Sequence, residues 1–233
     1  MSLVLTAHGS ADPRAAANTH AVAAEIRVIR PGLDVRVAFC EQSTPNLREV
    51  LAKTPDAVVT PLLLADAYHA RVDIPAMIAD SGATQADVLG EDQRLVAVLR
   101  QRIREAGVTR RAPDVGVIVV AVGSSRQVAN QRTAVVADAV SSGTRWAGAV
   151  TAFATGPRPS LDDAARRLRE LGARRVVVAP WFLAHGRITD RVANYAVAHG
   201  FSVAEPLGAH RLVAHTVLDR FDAARAGART IAA

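Results

Sequence analysis

Short apolar runs alternate along the chain with longer segments in which apolar residues recur every three or four positions. Six of the runs are predicted to be β-strands: residues 3–7, 35–39, 57–64, 115–122, 148–153 and 176–182. Because most of these runs are apolar without alternation, they indicate parallel strands that are buried on both faces. Parallel neighbours need crossover connections, and the segments between the runs supply helices for them. The pattern therefore predicts an α/β fold.

Two of the intervening segments carry helix signals at their ends or along one face. Asp12 suits the N-cap of a helix, and Pro13 suits its first helical position. Farther along, Leu95, Leu99 and Ile103 recur every four residues and would line one buried face. These signals predict a helix after the first strand and another near the middle of the chain.

The second half of the chain repeats the first half in order. Three segments recur: residues 4–10 as 118–124, residues 45–47 as 159–161, and residues 58–64 as 177–183. The shift is 114 residues for the first two matches and 119 for the third, so the second half carries a five-residue insertion. We predict two tandem domains, residues 1–109 and 115–233, each a small parallel sheet flanked by helices. The polar stretch 107–114 is the expected boundary.

Composition excludes several classes of protein. Of the 233 residues, 50% are hydrophobic and 21% are charged, which is typical of a globular chain. The longest apolar runs are about eight residues, whereas a membrane-spanning helix needs roughly 20. We therefore predict no membrane span, and the first residues do not resemble a secretory leader. The single cysteine, Cys40, excludes an internal disulfide, and we expect a cytoplasmic protein.

The net charge of +6 is compatible with an anionic partner. Nucleic acid is not the expected one, because no cluster of four or more basic residues occurs. The chain also has only nine aromatic residues (five Phe, two Trp and two Tyr) on which bases could stack. A polyanionic small molecule fits the same charge.

Two histidines and an acid follow the three predicted strands of the first half. His8 follows the first strand, Glu41 the second and His69 the third. Ligands of such folds bind beyond the carboxyl ends of the strands, so we expect these side chains to converge. Two imidazoles and a carboxylate commonly bind a divalent first-row metal, and neutral imidazoles accept protons near pH 7. We predict His8, Glu41 and His69 as metal ligands and the two histidines as catalytic residues.

Each of these residues also has a purely structural interpretation. His8 could cap the sheet, His69 could be an exposed loop residue, and Glu41 could be an ordinary acid at the start of a helix. The second half has Val122 in place of His8, so we expect only the first half to be active. Glycine-serine turns occur in both halves and would present free N–H groups to an anion. The residues predicted to bind the substrate are Gly9, Ser10, Ser124, Ser125, Arg126 and His185.

Several motifs together resemble a known family. They are Leu-Val-Leu-Thr-Ala-His-Gly-Ser at residues 3–10, Pro-x-Leu at 45–47, Pro-Leu-Leu-Leu at 61–64, Tyr-His at 68–69 and Asp-Ile-Pro at 73–75. This set resembles the class II chelatases, and within them the sirohydrochlorin chelatases called CbiX or SirB. The resemblance covers nearly the whole chain, because the longer members are tandem duplications whose second half has lost the catalytic histidines. The chain departs from the family at residues 65–67, Ala-Asp-Ala, where glycine is usual.

The resemblance implies insertion of Fe²⁺ into sirohydrochlorin without ATP, with Co²⁺ as the alternative metal. It implies that His8, Glu41 and His69 bind the metal, that no cofactor is permanently bound, and that an active-site cleft lies between the two domains. We expect a monomer or a homodimer. Two other functions stay open. One is a non-catalytic carrier of tetrapyrrole or metal, and the other is a phosphate-ester enzyme with His8 as nucleophile.

Overall fold

The computed structural model of the protein describes residues 2–231. The first sheet consists of β1 (Leu3–Ala7), β2 (Val35–Phe39), β3 (Val58–Pro61) and β4 (Thr84–Gln85), and the second of β5 (Val115–Ala121), β6 (Gly148–Phe153), β7 (Arg175–Pro180) and β8 (Ser202–Val203). The strand orders are β2-β1-β3-β4 and β6-β5-β7-β8, and the paired strands are parallel. The α/β fold predicted from the apolar runs is confirmed.

Helices connect the strands in both halves. They are α1 (Pro13–Ile29), α2 (Leu47–Leu51), α3 (Ile74–Ile78), α4 (Gln93–Glu105), α5 (Gln127–Ser141), α6 (Leu161–Glu170), α7 (Arg187–Ala198) and α8 (Arg211–Ile231). As predicted, α1 begins at Pro13, and the Asp12 carboxylate accepts a hydrogen bond from the Arg14 N–H. Within residues 2–231, no helix has the length and apolar character that a bilayer span requires.

The two halves repeat in space as they do in sequence. Ala7 pairs with Phe39 across β1 and β2, and Ala121 pairs with Phe153 across β5 and β6, which preserves the shift of 114 residues. The five inserted residues are accounted for by helix length, because α2 has 5 residues and its counterpart α6 has 10. The insertion therefore lengthens a peripheral helix and leaves the strand register intact.

Compact units of the structure differ from the predicted domains 1–109 and 115–233. Unit 1 comprises the chain up to Asp92 and from Ala209 onward, and unit 2 is Gln93–Gly208. The helix α4 therefore belongs to unit 2 although its sequence lies in the first repeat, and α8 belongs to unit 1. The expected boundary at residues 107–114 is a boundary between sequence repeats only.

Packing explains where these two helices belong. The apolar face of α4 packs against α5 and β7, and its Arg100 Nε donates to the Val140 carbonyl oxygen at 3.0 Å. The helix α8 packs against α1, β3 and β4. There the Arg220 Nε donates to the Val88 carbonyl oxygen at 3.0 Å. Periodicity along a helix predicts a buried face but does not say which sheet covers that face.

Each sheet buries an apolar layer of its own. In unit 1 the layer includes Val4, Leu47 and Val59, and in unit 2 it includes Ile118 and Leu168. Full burial of one such side chain stabilises the folded state by about 1.5–3 kcal/mol. Each set of strand ends is thus supported by the core of its own unit, and the candidate site lies at those of unit 1.

Candidate functional site

The three residues predicted to form a site lie together beyond the carboxyl ends of β1, β2 and β3. The His8 Nε2 atom is 2.9 Å from Glu41 Oε1. The rings of His8 and His69 have centroids 3.8 Å apart and planes inclined by 32°. The structure therefore brings together side chains that are far apart in sequence. Their assignment as metal ligands stays a prediction.

Backbone hydrogen bonds hold His8 opposite Glu41. The parallel ladder between β1 and β2 continues past both strand ends: the Cys40 N–H donates to the Ala7 carbonyl at 3.1 Å, and the Glu41 N–H donates to the His8 carbonyl at 3.0 Å. These bonds involve only main-chain atoms. They therefore fix the backbone positions of His8 and Glu41 whatever side chains these residues carry.

Gly9 makes the sharp turn after His8 possible. Its φ of +96° lies in the left-handed region, and a Cβ atom there would be 1.7 Å from the Glu41 carbonyl oxygen. Only glycine avoids both the strained backbone angle and this clash. The turn can therefore approach the Glu41 backbone closely enough for the His8–Glu41 contact.

His69 is positioned by a carboxylate that the sequence analysis did not assign to the site. Residues 69–73 form a π-helical turn in which the Ile74 N–H donates to the His69 carbonyl. The same turn places His69 Nδ1 2.5 Å from Asp73 Oδ2. A carboxylate on one ring nitrogen fixes the orientation and tautomer of an imidazole and leaves the other nitrogen for a metal or a proton. The spacing His-x-x-x-Asp was the available signal.

The segment that contains this turn is one residue longer than its counterpart in unit 2. The bond from the Ala86 N–H to the Val59 carbonyl spans 27 positions, and the bond from Ala204 to Val178 spans 26 (86 − 59 and 204 − 178). A π-helical turn is wider than an α-helical one, and such turns are frequent at functional sites. The extra residue lies in the half of the chain that carries the histidines.

Burial and a neighbouring imidazole keep His8 neutral. Desolvation is the largest cause that lowers the pKa of His8 below its ordinary value of 6.5, and the proximity of His69 lowers it further. The carboxylates of Glu41 and Asp73 partly offset this shift. The Nδ1 atom of His8 is buried and has no hydrogen-bond partner among the described residues. His8 is therefore a neutral base with an unused polar atom inside the protein.

Cys40 lies next to Glu41 but does not add a thiolate to the site. Burial, reinforced by the charges of Asp73 and Glu41, raises the pKa of Cys40 to about 11. The thiol is therefore protonated at neutral pH, and the thiolate is the form that binds metals or acts as a nucleophile. The available chemistry is that of imidazoles and carboxylates.

These groups pair with one another and are not arranged around a common point. No group of three or more His, Cys, Asp or Glu side chains in the described range is placed to hold a metal ion. Glu41 instead contacts His8, and Asp73 contacts His69. Metal binding by this set would require at least the His8–Glu41 contact to be exchanged for bonds to the metal.

The anion-binding turn predicted after His8 is already occupied by side chains of the same unit. The Ser10 N–H donates to Ser43 Oγ at 3.1 Å, and the Ala11 N–H donates to Gln42 Oε1 at 3.2 Å. The N–H groups of Ser10 and Ala11 are therefore not free, contrary to the expectation, because the loop after β2 supplies acceptors for them.

The remaining predicted substrate contacts belong to unit 2. The Ser124 N–H donates to Asn130 Oδ1 at 2.9 Å, and the Arg126 N–H donates to Ser124 Oγ at 3.1 Å, so these two N–H groups are not free either. Ser125 is exposed, as is the side chain of Arg126. His185 Nε2 lies 2.7 Å from Glu205 Oε2.

Unit 2 lacks the histidine cluster at the equivalent positions. Val122 replaces His8 and is 41% exposed, and Thr155 replaces Glu41. Ile188 occupies the position of His69 at the shift of 119 residues. The second copy therefore keeps the strand ends without the imidazoles and carboxylates.

The duplicated parallel α/β unit is the fold of the two-domain chelatases. Within this class, the CbiX family model matches residues 2–106 and 116–224 of the chain. The chain belongs to the CbiX family. The two matched segments are the two sequence repeats, which agrees with the duplication seen in the strand register.

Two curated relatives come from Priestia megaterium. A sirohydrochlorin cobaltochelatase is 27% identical over 220 residues, which cover 85% of this chain and 70% of that protein. A sirohydrochlorin ferrochelatase is 25% identical over 234 residues, which cover 92% of this chain and 86% of that protein. Both relatives align with most of the chain.

Solved structures share the fold at lower sequence identity. SirB from Bacillus subtilis with Fe³⁺ has a TM-score of 0.84 and 19% identity, with coverage of 98% of this chain and 97% of that chain. A CbiX described as the terminal enzyme for the biosynthesis of siroheme in denitrifying bacteria has a TM-score of 0.72 and 23% identity, with coverage of 96% and 99%. These likenesses extend over both units and concern the fold.

Proposed function

We propose that the protein is a sirohydrochlorin chelatase, which inserts a divalent metal into sirohydrochlorin without ATP. Iron is the metal proposed first and cobalt is the alternative, in line with the names of the two curated relatives. The observation that carries the proposal is the pair of imidazoles 3.8 Å apart at the strand ends of unit 1, each in contact with a carboxylate. Metal and tetrapyrrole are both substrates in this reaction.

The proton balance of the reaction matches the site. Insertion forms bonds between the metal ion and the four ring nitrogens and releases two protons from the pyrrole N–H groups. The lowered pKa of His8 keeps this imidazole neutral at physiological pH and able to accept one of these protons. The carboxylates of Glu41 and Asp73 offset the positive charge that accumulates when the imidazoles take up protons or a cation.

The contacts within the cluster also suit temporary binding of the metal. His8 already has a carboxylate contact through Nε2, so binding the metal there costs the His8–Glu41 contact. Such exchange weakens the hold on the ion and helps the four nitrogens of the macrocycle to remove it. His69 has Nδ1 engaged by Asp73, which leaves Nε2 as its donor atom.

The anionic tetrapyrrole needs positive and hydrogen-bonding partners as well as the metal site. We propose that the polar groups of the two glycine-serine turns other than the bonded N–H groups of Ser10 and Ser124, together with two side chains of unit 2, provide them. Arg126 supports this assignment because its side chain is exposed and forms no ion pair among the described residues. The proposed contacts are Gly9, Ser10, Ser124, Ser125, Arg126 and His185. The predicted cleft between the two domains stays a prediction.

Insertion kinetics test the proposal directly. The wild-type protein, His8→Ala and His69→Ala are mixed with sirohydrochlorin and Fe²⁺, and the absorbance change of metallation is followed. His215→Ala, a histidine substitution on α8 outside the site, is the matched control. We expect both site variants to remain folded and to lose insertion, whereas the control keeps it. Wild-type rates in both site variants would refute the proposed function.

The same assay separates an enzyme from a carrier. A non-catalytic carrier would bind tetrapyrrole or metal but would not raise the insertion rate above the spontaneous rate. Parallel reactions with Fe²⁺, Co²⁺ and Ni²⁺ address the choice of metal. Imidazole and carboxylate donors do not distinguish these ions by themselves, because intrinsic affinities follow the general order for divalent first-row metals.

A further inference from the structure

Unit 2 contains an open pocket that the histidine chemistry does not use. It lies beyond the carboxyl ends of β5 and β6, at the start of α5, and has a volume of about 760 Å³. This volume falls within the range of roughly 300–1,000 Å³ that is usual for small-molecule sites. Residues from the turn after β5, from α5 and from the loop after β6 line the pocket.

Comparison with unit 1 shows which residue differences leave the pocket of unit 2 open. At the equivalent positions of unit 1, the side chains of Gln42 and Ser43 reach across and bond the N–H groups of the turn after β1. At the shift of 114 residues, unit 2 has Gly156 and Pro157 there, and neither has a side chain that can form a hydrogen bond. The side chains that occupy this position in unit 1 are therefore missing from unit 2.

The polar part of the lining consists of hydrogen-bond donors without an acid. It includes the amides of Gln127 and Gln131, the hydroxyl of Ser125 and the guanidinium of Arg158. The Thr155 hydroxyl also lines the pocket but already donates to the Val122 carbonyl at 2.8 Å. No Asp or Glu occurs among the described residues that line the pocket. Arg158 is 87% exposed and lies 3.4 Å from a single carboxylate outside the lining, Asp163. One guanidinium with neutral donors matches a singly charged carboxylate better than a doubly charged phosphate.

The rest of the lining is apolar. It contains Ala134, Phe153, Pro157 and Pro159. Apolar surface next to hydrogen-bond donors fits a ligand that has both a hydrocarbon part and a charged end. We propose that this pocket of unit 2 binds a carboxylate carried on a short hydrocarbon chain. Such a group is present in free short-chain dicarboxylic acids and in the carboxyalkyl side chains of a tetrapyrrole.

Binding measurements on the full-length protein test this pocket. Glutarate serves as the free-acid probe and is titrated by calorimetry. Uroporphyrin, an octacarboxylate macrocycle, serves as the tetrapyrrole probe and is titrated by fluorescence. The test variant is Gln131→Glu, which replaces a lining amide by a carboxylate of the same shape. The matched control is Gln93→Glu, the same substitution at an exposed position of α4 in the same unit and outside the pocket.

We expect Gln131→Glu to weaken carboxylate binding by about tenfold, because it places like charges together, whereas Gln93→Glu leaves it unchanged. Weaker binding of glutarate alone would identify a free acid as the ligand. Weaker binding of uroporphyrin, with or without glutarate, would identify the side chains of a tetrapyrrole. If Gln131→Glu binds both probes as Gln93→Glu does, the pocket is not a carboxylate site.

The pocket and the proposed function can fail independently. Carboxylate binding is measured without metal and without turnover, and we expect it to persist in His8→Ala. A wild-type protein that binds the probes through Gln131 but inserts no metal would keep the pocket and lose the chelatase proposal. Metal insertion by the wild-type protein, with no effect of Gln131→Glu on the binding of either probe, would keep the chelatase proposal and refute the carboxylate pocket.

Discussion

Units 1 and 2 have nearly the same backbone at their strand ends and different side chains on it. The Glu41 N–H donates to the His8 carbonyl at 3.0 Å, and the Thr155 N–H donates to the Val122 carbonyl at 3.0 Å. The side chains at these positions are imidazole and carboxylate in unit 1 but isopropyl and hydroxyl in unit 2. Because main-chain bonds hold the scaffold, the side chains can be lost without loss of the fold. The difference between the units is therefore one of chemistry.

The largest effect is expected when unit 1 receives the residue of unit 2. His8→Val should lower the rate of metal insertion by about 100-fold or more, since it removes a base and a metal donor together. Thermal unfolding should show no loss of stability, because the substitution also removes the buried and unpaired Nδ1 atom. A stable variant with wild-type insertion kinetics would contradict the comparison.

The glycine turns should respond alike in the two units. In Gly9→Ala the new Cβ would meet the Glu41 carbonyl oxygen at 1.7 Å, and in Gly123→Ala it would meet the Gly156 carbonyl oxygen at 1.9 Å. Both glycines also have positive φ. We expect each substitution to destabilise the protein by about 2–4 kcal/mol in denaturant unfolding. A tolerated Gly123→Ala beside a damaging Gly9→Ala would show that the two turns are not equivalent.

Asp73 provides a test of positioning within unit 1. Asp73→Asn should lower metal affinity or insertion rate by about 10–100-fold, the usual effect of losing the carboxylate partner of a metal-binding histidine. The equivalent position in unit 2 by the shift of 119 is Val192, so Val192→Ala, which leaves unit 1 untouched, is the control. If Asp73→Asn affects only folding stability, measured by thermal unfolding, then Asp73 has no role in the reaction.

The smallest effects concern protonation of His8. Glu41→Gln should lower the pKa of His8 further, and His69→Gln should raise it toward 6.5, because these neighbours act in opposite directions. Histidine NMR titrations measure both shifts. The folded-state pKa lies below the unfolded value, so the stability linked to His8 is complete above pH about 6.5 and is lost as the pH falls through the folded-state pKa. His8→Val should remove that pH dependence. If stability still falls in the same way below pH about 6.5 in His8→Val, His8 is not the source of the loss.

Much of the fold could be predicted from sequence because its signals are local. Strands β1, β2 and β6 begin and end at the predicted residues, and α1 begins at the predicted cap. The convergence of His8, Glu41 and His69 followed from the rule that parallel strands present their carboxyl ends at one edge. To apply this rule, it was enough to recognise three parallel strands and the residue that follows each of them.

Other features depend on contacts that no local pattern records. Strands β4 and β8 have two residues each, too few to show a period. The Asp73–His69 contact depends on a π-helical turn, whereas the sequence suggested only a loop. The expectation of free N–H groups at the turn after β1 failed because the side chains of Gln42 and Ser43, which come from the loop after β2, accept hydrogen bonds from them.

The exchange of α4 and α8 has a consequence for how the protein is made. Unit 1, which carries the histidines, includes a helix that follows Gln93–Gly208 in the chain. On the ribosome, unit 1 therefore stays incomplete until unit 2 has been synthesised. A nascent or prematurely terminated chain that contains His8, Glu41 and His69 still lacks the helix that packs on β3 and β4. Order of synthesis thus delays the completion of unit 1, whose strand ends carry the histidines, until Gln93–Gly208 has been made.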